Sequence, residues 1–232
     1  MRWSAPGVEV VFTTRQGGVS EGPYASLNLG RMTGDSHERV EENRRRACAA
    51  LGADAGRLAL NRQIHSPTVH RADPGARGEP GDGLWTDEAG VPMLALVADC
   101  VPIAIARNGA APAALAVLHA GRIGILEGVI EAGVAALDEG DLTAAVGPAI
   151  GPCCYEVGDE VADPYRRRFG REIMSGRKLD LWTAAERLLE EAGVKTVDRL
   201  DICTACNPDL FFSNRRDGKP RGSQGVLGVV TG

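Results

Sequence analysis

Residues 91–121 read VPMLALVADCVPIAIARNGAAPAALAVLHAG. Two apolar, strand-like runs flank a turn rich in Asn, Gly, Ala and Pro. Asp99 and Cys100 sit where the first run breaks at Val101-Pro102, and His119 sits where the last breaks at Ala120-Gly121. The end of a buried strand is rigid and open, so a reactive polar side chain there is placed for chemistry. We therefore expect Cys100 and His119 to share one site, completed by His65 from residues 61–67 (NRQIHSP).

Ahead of this stretch, residues 8–14 (VEVVFTT) predict a first strand, and 15–30 a Gly-rich polar loop without a phosphate-loop signature. Asp35 is the expected N-cap of a helix, with Glu38 as its capping-box partner. Val40, Asn43, Arg44, Ala47 and Leu51 follow at helical spacing up to Gly52. Residues 58–65 and 68–72 predict strands separated by Ser66-Pro67, 73–83 a Pro/Gly loop, and 83–87 a lead into 92–98. Residues 115–119 predict a buried strand and 121–137 a helix whose Gly124, Gly128 and Gly133 point to close packing. Further on, 143–146 predicts a strand, 159–169 and 180–191 helices, and 197–202, 211–214 and 226–231 strands. The last two are joined by the basic loop RRDGKPRG. With no internal repeat, low-complexity segment or linker, this mixture predicts one α/β (α+β) domain over residues 1–232, a layered mixed β-sheet with flanking helices.

At 232 residues the chain can bury a core without covalent staples. A net charge of −5 opposes general nucleic-acid binding, which needs a basic surface. No apolar run is long enough to span a bilayer, and residues 1–10 lack the apolar core of a signal peptide, so the expected setting is the cytoplasm and no membrane partner. In that setting six cysteines do not predict a disulfide framework. Cys203 and Cys206 have Cys-x-x-Cys spacing, but a second such pair to close a zinc ribbon is missing. Cys48 reads as a small core residue, and Cys153 and Cys154 as buried rather than reactive. Nothing in the sequence fixes an oligomeric state.

The four histidines are His37, His65, His70 and His119. His37 falls in the first turn of an exposed helix and is set aside. Two histidines and Cys100 match the three-ligand pattern of an open catalytic zinc site, and a thiolate favours zinc or copper over magnesium. Asp99 would point away from Cys100 on a regular strand, which suits a supporting or proton-carrying role better than ligation. A Cys100/His119 nucleophilic pair, as in Cys hydrolases, is the competing reading, and a buried Cys with two unrelated polar histidines a third.

ADCVPIAI with LAVLHAG, GPAIGPCCYEVG and FFSNRRDG resemble the YfiH family, also called the laccase-domain, multicopper polyphenol oxidoreductase or peptidoglycan editing factor family. The likeness runs from VFTTRQGGVS and SLNLG through NRQIHS to RRDG, nearly the whole chain. It implies a layered α/β/α-type domain and a metal site formed by His65, Cys100 and His119. It also implies phosphorolysis of adenosine, inosine and methylthioadenosine with inorganic phosphate, and deamination of adenosine. Its older implication, multicopper oxidation of polyphenols, needs a blue site plus a His-rich trinuclear cluster, which four histidines cannot supply. A single zinc, or a single copper, remains the expected cofactor.

Phosphorolysis requires cations about the phosphate, for which Arg15, Arg122, Arg215 and Arg216 are candidates. Asn28 in SLNLG is a polar substrate contact by resemblance, and Tyr155 and Glu156 follow the GPCC turn where they can line a pocket. Two departures stand out. The family's HAGWRG is HAGRIG here, with Arg122 in place of Trp and Ile123 in place of Arg; and KPRG replaces a TGR-like segment, where Arg221 can compensate. The alternatives to a purine nucleoside enzyme are a metal-free Cys hydrolase or peptidoglycan-precursor editing factor, and a binding protein whose metal is closed by Cys203 or His70 as fourth ligand.

Overall fold

Alternation along residues 101–120 builds the centre of the molecule. Val101, Ile103 and Ile105 face one core while Ala104 and Ala106 face another; Ala114, Ala116, Leu118 and Ala120 join the first, Leu115 and Val117 the second. A strand buried on both faces must be apolar at every position, which is why these runs lack the polar alternation of a half-exposed strand. The computed structural model describes residues 1–109, 112–138 and 140–231. Ala110 and Ala111, in the expected turn, lie outside the described residues.

The strands in chain order are β1 (Arg2–Ala5), β2 (Val8–Phe12), β3 (Leu60–Arg62), β4 (Val69–Arg71), β5 (Arg77–Pro80), β6 (Gly83–Thr86), β7 (Met93–Val97), β8 (Val101–Asn108), β9 (Ala114–Ala120), β10 (Asp141–Val146), β11 (Met174–Ser175), β12 (Lys178–Leu179), β13 (Thr196–Arg199) and β14 (Gln224–Val230). The α-helices are α1 (His37–Ala50), α2 (Arg122–Glu127), α3 (Val129–Ala135), α4 (Asp159–Phe169), α5 (Leu181–Glu191) and α6 (Asn214–Asp217). One sheet runs β1-β2-β14-β7, all antiparallel; the other runs β13-β10-β8-β9-β6-β4, with parallel pairs only at its two edges. Val10, Phe12, Met93, Ala95 and Val226 meet Ala104, Leu115 and Val117 between the sheets. Residues from α2 to α5 cover the outer face of the six-stranded sheet. Ala47 and Cys48 of α1 pack on Leu94 and Leu227 of the other. The mixed α/β class stands, but the layering contains two stacked sheets where one was expected.

The extra sheet follows from one corner. Asp99 has a φ of 91°, a left-handed conformation that costs a non-glycine residue energy and turns the chain sharply. The break read at Asp99-Cys100 thus separates strands of different sheets: β7 belongs to the four-stranded sheet and β8 to the six-stranded one.

Other expectations shift locally. Asp35 does not cap α1. Ser36 occupies that position, and Asp35 instead accepts from the Ser20 hydroxyl at 2.6 Å and the Asn28 amide at 2.9 Å. Residues 73–83 are not only loop, since β5 pairs in parallel with β3. Residues 211–214 are not a strand. The Gln224 side chain takes the place of a neighbouring strand there, accepting from the Phe212 N–H and donating to its carbonyl, and Ser213 caps α6. The helix expected at 121–137 is broken by Gly128, whose φ is 98°. Gly133 does mark close packing: a Cβ there would meet Leu118 at 2.7 Å.

That contact sets two effects against each other. Ala exceeds Gly in helix propensity by about 1 kcal/mol, while overpacking costs about 1–3 kcal/mol. Gly133→Ala is expected to lower stability by about 1 kcal/mol in urea denaturation. In a Leu118→Ala background, where the opposing methyls are gone, the same substitution should become neutral or stabilising.

Candidate metal centre and its cleft

In the β8–β9 ladder Pro102 pairs with His119, so the strand ends place Cys100 beside Gly121. His65 arrives from the loop after β3, held at a φ of 61°. One donor atom from each of His65, Cys100 and His119 lies within 4.8 Å of the others. The two imidazoles meet edge-on, centroids 4.8 Å apart and planes 64° apart. Gly121 is required at this junction, because a Cβ would stand 2.3 Å from His65 Nδ1 and 3.3 Å from Cys100 Sγ.

The organising residue was not legible in the sequence. Asp82, only 1% exposed, lies between two glycines in a segment that reads as turn chemistry. Its carboxylate accepts from the backbone N–H groups of Ile64 (3.1 Å), His65 (3.0 Å) and Ser66 (2.7 Å) and from the Ser66 hydroxyl (2.9 Å). It also lies 2.7 Å from His119 Nδ1. Burial opposes ionisation of Asp82, but the His119 interaction and these N–H donors outweigh it and hold the carboxyl well below its usual range. An ionised carboxylate can only accept, so His119 Nδ1 carries the hydrogen and Nε2 is the nitrogen left to face Cys100 and a metal. This is the carboxylate–histidine arrangement that orients imidazole toward a metal.

Burial also opposes charge on His119, yet Cys100 and Asp82 beside it hold its pKa up at about 9. His65 moves the other way: partial burial, then repulsion from His119, lower it. A metal ion needs His119 unprotonated at Nε2, so it competes with a proton there.

The three residues line a cleft of about 740 Å³. Arg31, Arg44, Arg62, Arg77, Lys219 and Arg221 line it, with Asn61, Gln63, Thr33 and Ser223, and among the described residues no carboxylate does. Glu41, behind the wall, pairs with Arg44 and Arg77 at 2.8 and 2.9 Å and with Arg31 at 3.9 Å. Among the described residues Arg62 and Lys219 make no side-chain hydrogen bond or ion pair. The cleft is thus an anion-attracting surface with donors to spare. His37, set aside from sequence, lines it too. These residues come from six separate segments, so no local pattern announces them.

None of the residues expected to bind substrate lines this cleft. Asn28 is fully buried; its amide bonds Thr33, Asp35 and Gly30 and accepts from the Gly30 and Ser223 N–H groups, which makes it scaffolding and not a contact surface. Arg15 is held by the carbonyls of Ala25 and Pro208 and lies over Phe212. Arg216 binds the carbonyls of Thr204, Ala205 and Phe211. Arg215 binds those of Cys154 and Glu156 and covers Tyr155 at 5.1 Å. Arg122 is exposed at the start of α2, near His65, with its backbone carbonyl taken by Tyr165. Asp99 points away from the histidines, accepting from the Thr204 hydroxyl and the Arg215 N–H at 2.6 Å each. Neither proposed fourth ligand is present: His70 bonds the Pro80 carbonyl, and Cys203 belongs to a different group. Cys153 is exposed, not buried.

Two substitutions separate the centre from the fold. Gly121→Ala should displace His65 and abolish high-affinity zinc binding with little change in the circular dichroism spectrum. Asp82→Asn should weaken zinc by about 10–100-fold in competition titrations, the usual cost of losing an imidazole's carboxylate partner. In the unsubstituted protein, zinc affinity should rise with pH up to about 9, as the proton on His119 ceases to compete; calorimetry in buffers of different ionisation enthalpy counts the proton released.

No helix among the described residues is long and apolar enough to cross a membrane. Residues 9–230 match the family described as multi-copper polyphenol oxidoreductase laccase. The chain is 37% identical to a Geobacillus stearothermophilus protein named purine nucleoside phosphorylase YlmD, over 98% of this chain and 92% of that one. It is 38% identical to one of the same name, PA4543, from Pseudomonas aeruginosa, over 94% and 92%. A crystal structure of NMB0706 from Neisseria meningitidis superposes with a TM-score of 0.89 at 33% identity, covering 100% and 99% of the two chains. Sequence match, identity and superposition agree over almost the full length, and the chain belongs to the multi-copper polyphenol oxidoreductase laccase family, the YfiH-like proteins.

Proposed function

We propose that this protein is a metal-dependent purine nucleoside phosphorylase. It takes adenosine, inosine or methylthioadenosine with inorganic phosphate and yields the free base and ribose 1-phosphate or its methylthio analogue. Adenosine deamination at the same centre is part of the proposal, as are a cytoplasmic setting and one catalytic domain over residues 1–232. The observation that carries it is an open set of two imidazoles and one thiol in the wall of a cation-lined cleft, in a chain whose relatives bear the phosphorylase name.

The donors fit a single soft or borderline ion with one coordination position left for solvent or substrate. Zinc is the ion we assign, with copper as the competitor. When bound, the ion supplies Lewis-acid polarisation and lowers the pKa of water. His65, Cys100 and His119 hold it, and Asp82 fixes His119 with Nε2 forward. Arg62 and Lys219 neutralise and orient the phosphate for attack at the ribose C1′, with Arg221 deeper in the wall. Asn61 and Gln63 lie in the same wall, with hydrogen-bonding groups for the sugar or base. Oxidation at a multicopper cluster finds no support in the donors, since His37 and His70 do not join the other two histidines.

The test is product analysis. Zinc-loaded protein with adenosine and phosphate should release adenine and ribose 1-phosphate, and with phosphate omitted, inosine. If neither adenine, inosine nor ribose 1-phosphate is formed, the purine reading fails. Cys100→Ala should remove activity and the metal together. Arg62→Ala and Lys219→Ala should each raise the phosphate KM about tenfold, the loss of roughly one charge-assisted hydrogen bond, with a smaller change for nucleoside. The proximity of Cys100 to His119 supports the Cys-hydrolase alternative; activity in metal-free protein, abolished by thiol alkylation, would establish that alternative and remove the metal from the mechanism.

A further inference from the structure

Four of the six cysteines, Cys153, Cys154, Cys203 and Cys206, converge away from the cleft. Their sulfurs lie within 4.8 Å of one another, with Cys153 to Cys206 at 3.5 Å and Cys154 to Cys206 at 3.3 Å. All four are free thiols, and these separations are far from the roughly 2.05 Å of a disulfide. They do match the edge of a tetrahedron around one ion, which for zinc–sulfur bonds of about 2.3 Å is about 3.8 Å. An iron–sulfur cluster places irons and sulfides between its thiolates and needs a wider cage.

We propose that Cys153, Cys154, Cys203 and Cys206 form a second metal site that holds one zinc-class divalent ion as a structural staple. Nothing in the proposed activity uses these thiols, and Cys100 is not among them. The sequence hides the site because its halves are unlike. Cys203-Thr-Ala-Cys206 has the familiar spacing, but its complement is the adjacent pair Cys153-Cys154, almost fifty residues earlier.

The surroundings are built for a tetrathiolate. The Gly151 N–H donates to Cys203 Sγ at 3.2 Å, and the Ala205 and Cys206 N–H groups face the same sulfur, the way a Cys-x-x-Cys turn cradles a metal-bound thiolate. The two halves are already tied without the ion: Ala149 bridges Cys203, and the Thr204 N–H donates to the Ala149 carbonyl at 3.0 Å. Binding exchanges up to four thiol protons for one doubly charged cation, so the site gains a net charge of up to −2. Arg215 and Arg216, both on α6, meet that charge from the two sides. Arg215 binds the carbonyls of Cys154 and Glu156 at 3.3 and 2.8 Å, and Arg216 those of Thr204 and Ala205 at 2.8 and 3.2 Å. This also accounts for two arginines that the cleft leaves unused. The staple fixes the wall behind Cys100, because Thr204 and Arg215 are the two groups that hold the Asp99 carboxylate.

Full-length protein expressed with zinc and purified without chelator or oxidant decides the matter. Elemental analysis should give two zinc per chain in the parent and one in Cys100→Ala, which empties the cleft centre alone. Cobalt exchanged into Cys100→Ala should show the strong sulfur-to-metal charge-transfer absorption of a tetrathiolate, which a site with a single thiolate cannot produce. Cys153→Ser/Cys206→Ser, both exposed positions, should lose that absorption and one zinc while the cleft centre keeps its own. Cys100→Ala protein that takes up no zinc and gives no tetrathiolate cobalt spectrum overturns the proposal, as does a disulfide among these four cysteines in freshly purified parent. Should the double variant fail to fold, the Cys100→Ala cobalt spectrum is decisive alone. A cleft centre that fails to bind metal leaves one zinc in both the parent and Cys100→Ala, so the two assignments fail separately.

Discussion

Asp82 carries a negative charge in a position almost closed to water, and the candidate centre is arranged about that charge. Three successive backbone N–H groups, a hydroxyl and an imidazole converge on it. A buried carboxylate with these partners is stable only while all of them stay in place. The loop bearing His65 and the strand end bearing His119 are therefore positioned by the same group. The Asp82 carbonyl adds to this by accepting the His119 N–H at 2.7 Å, so side chain and main chain of one residue fix one histidine at both ends.

The second constraint is the corner at Asp99. Its left-handed backbone sends β7 and β8 into different sheets, and Cys100 is the first residue past the bend. The cost of that conformation is offset by hydrogen bonds to its side chain from Thr204 and Arg215 and to its carbonyl from Ile150. Ile150 and Thr204 come from the segments that carry the four-cysteine group, and Arg215 from α6, which binds the Cys154 carbonyl. The cleft centre and the cysteine cluster thus share a wall, with Asp99 facing one and Cys100 the other. The seam between the two sheets is also where chain segments from residues 30, 62, 77 and 221 can approach, and it is their arginines that make the cleft cationic.

Strand ends with reactive residues were legible because two-sided burial leaves a continuous apolar run whose interruptions stand out, as at Asp99-Cys100 and His119. Helices α4 and α5 were legible for the complementary reason, a strong apolar stripe with clear ends. Residues 211–214 misled because Phe211 and Phe212 are buried as strand residues are, while their ladder partner is the side chain of Gln224. Asn28, a substrate contact by resemblance, spends its buried amide on loop backbone and neighbouring side chains, which a short motif does not reveal.

The sequence by itself determined the mixed α/β class, the central hairpin and, through resemblance, the trio His65, Cys100 and His119. Each of these rests on a local pattern or a contiguous motif. The tertiary structure alone decided that two large sheets stack, that Asp82 governs the histidines, that the cleft's cations are Arg62, Lys219 and their neighbours, and that Cys153 and Cys154 come together with the Cys203/Cys206 pair. Those outcomes depend on which distant segments the fold brings within a few ångströms. A hydrogen bond or a cluster of sulfurs across fifty residues leaves no periodicity in the chain that forms it.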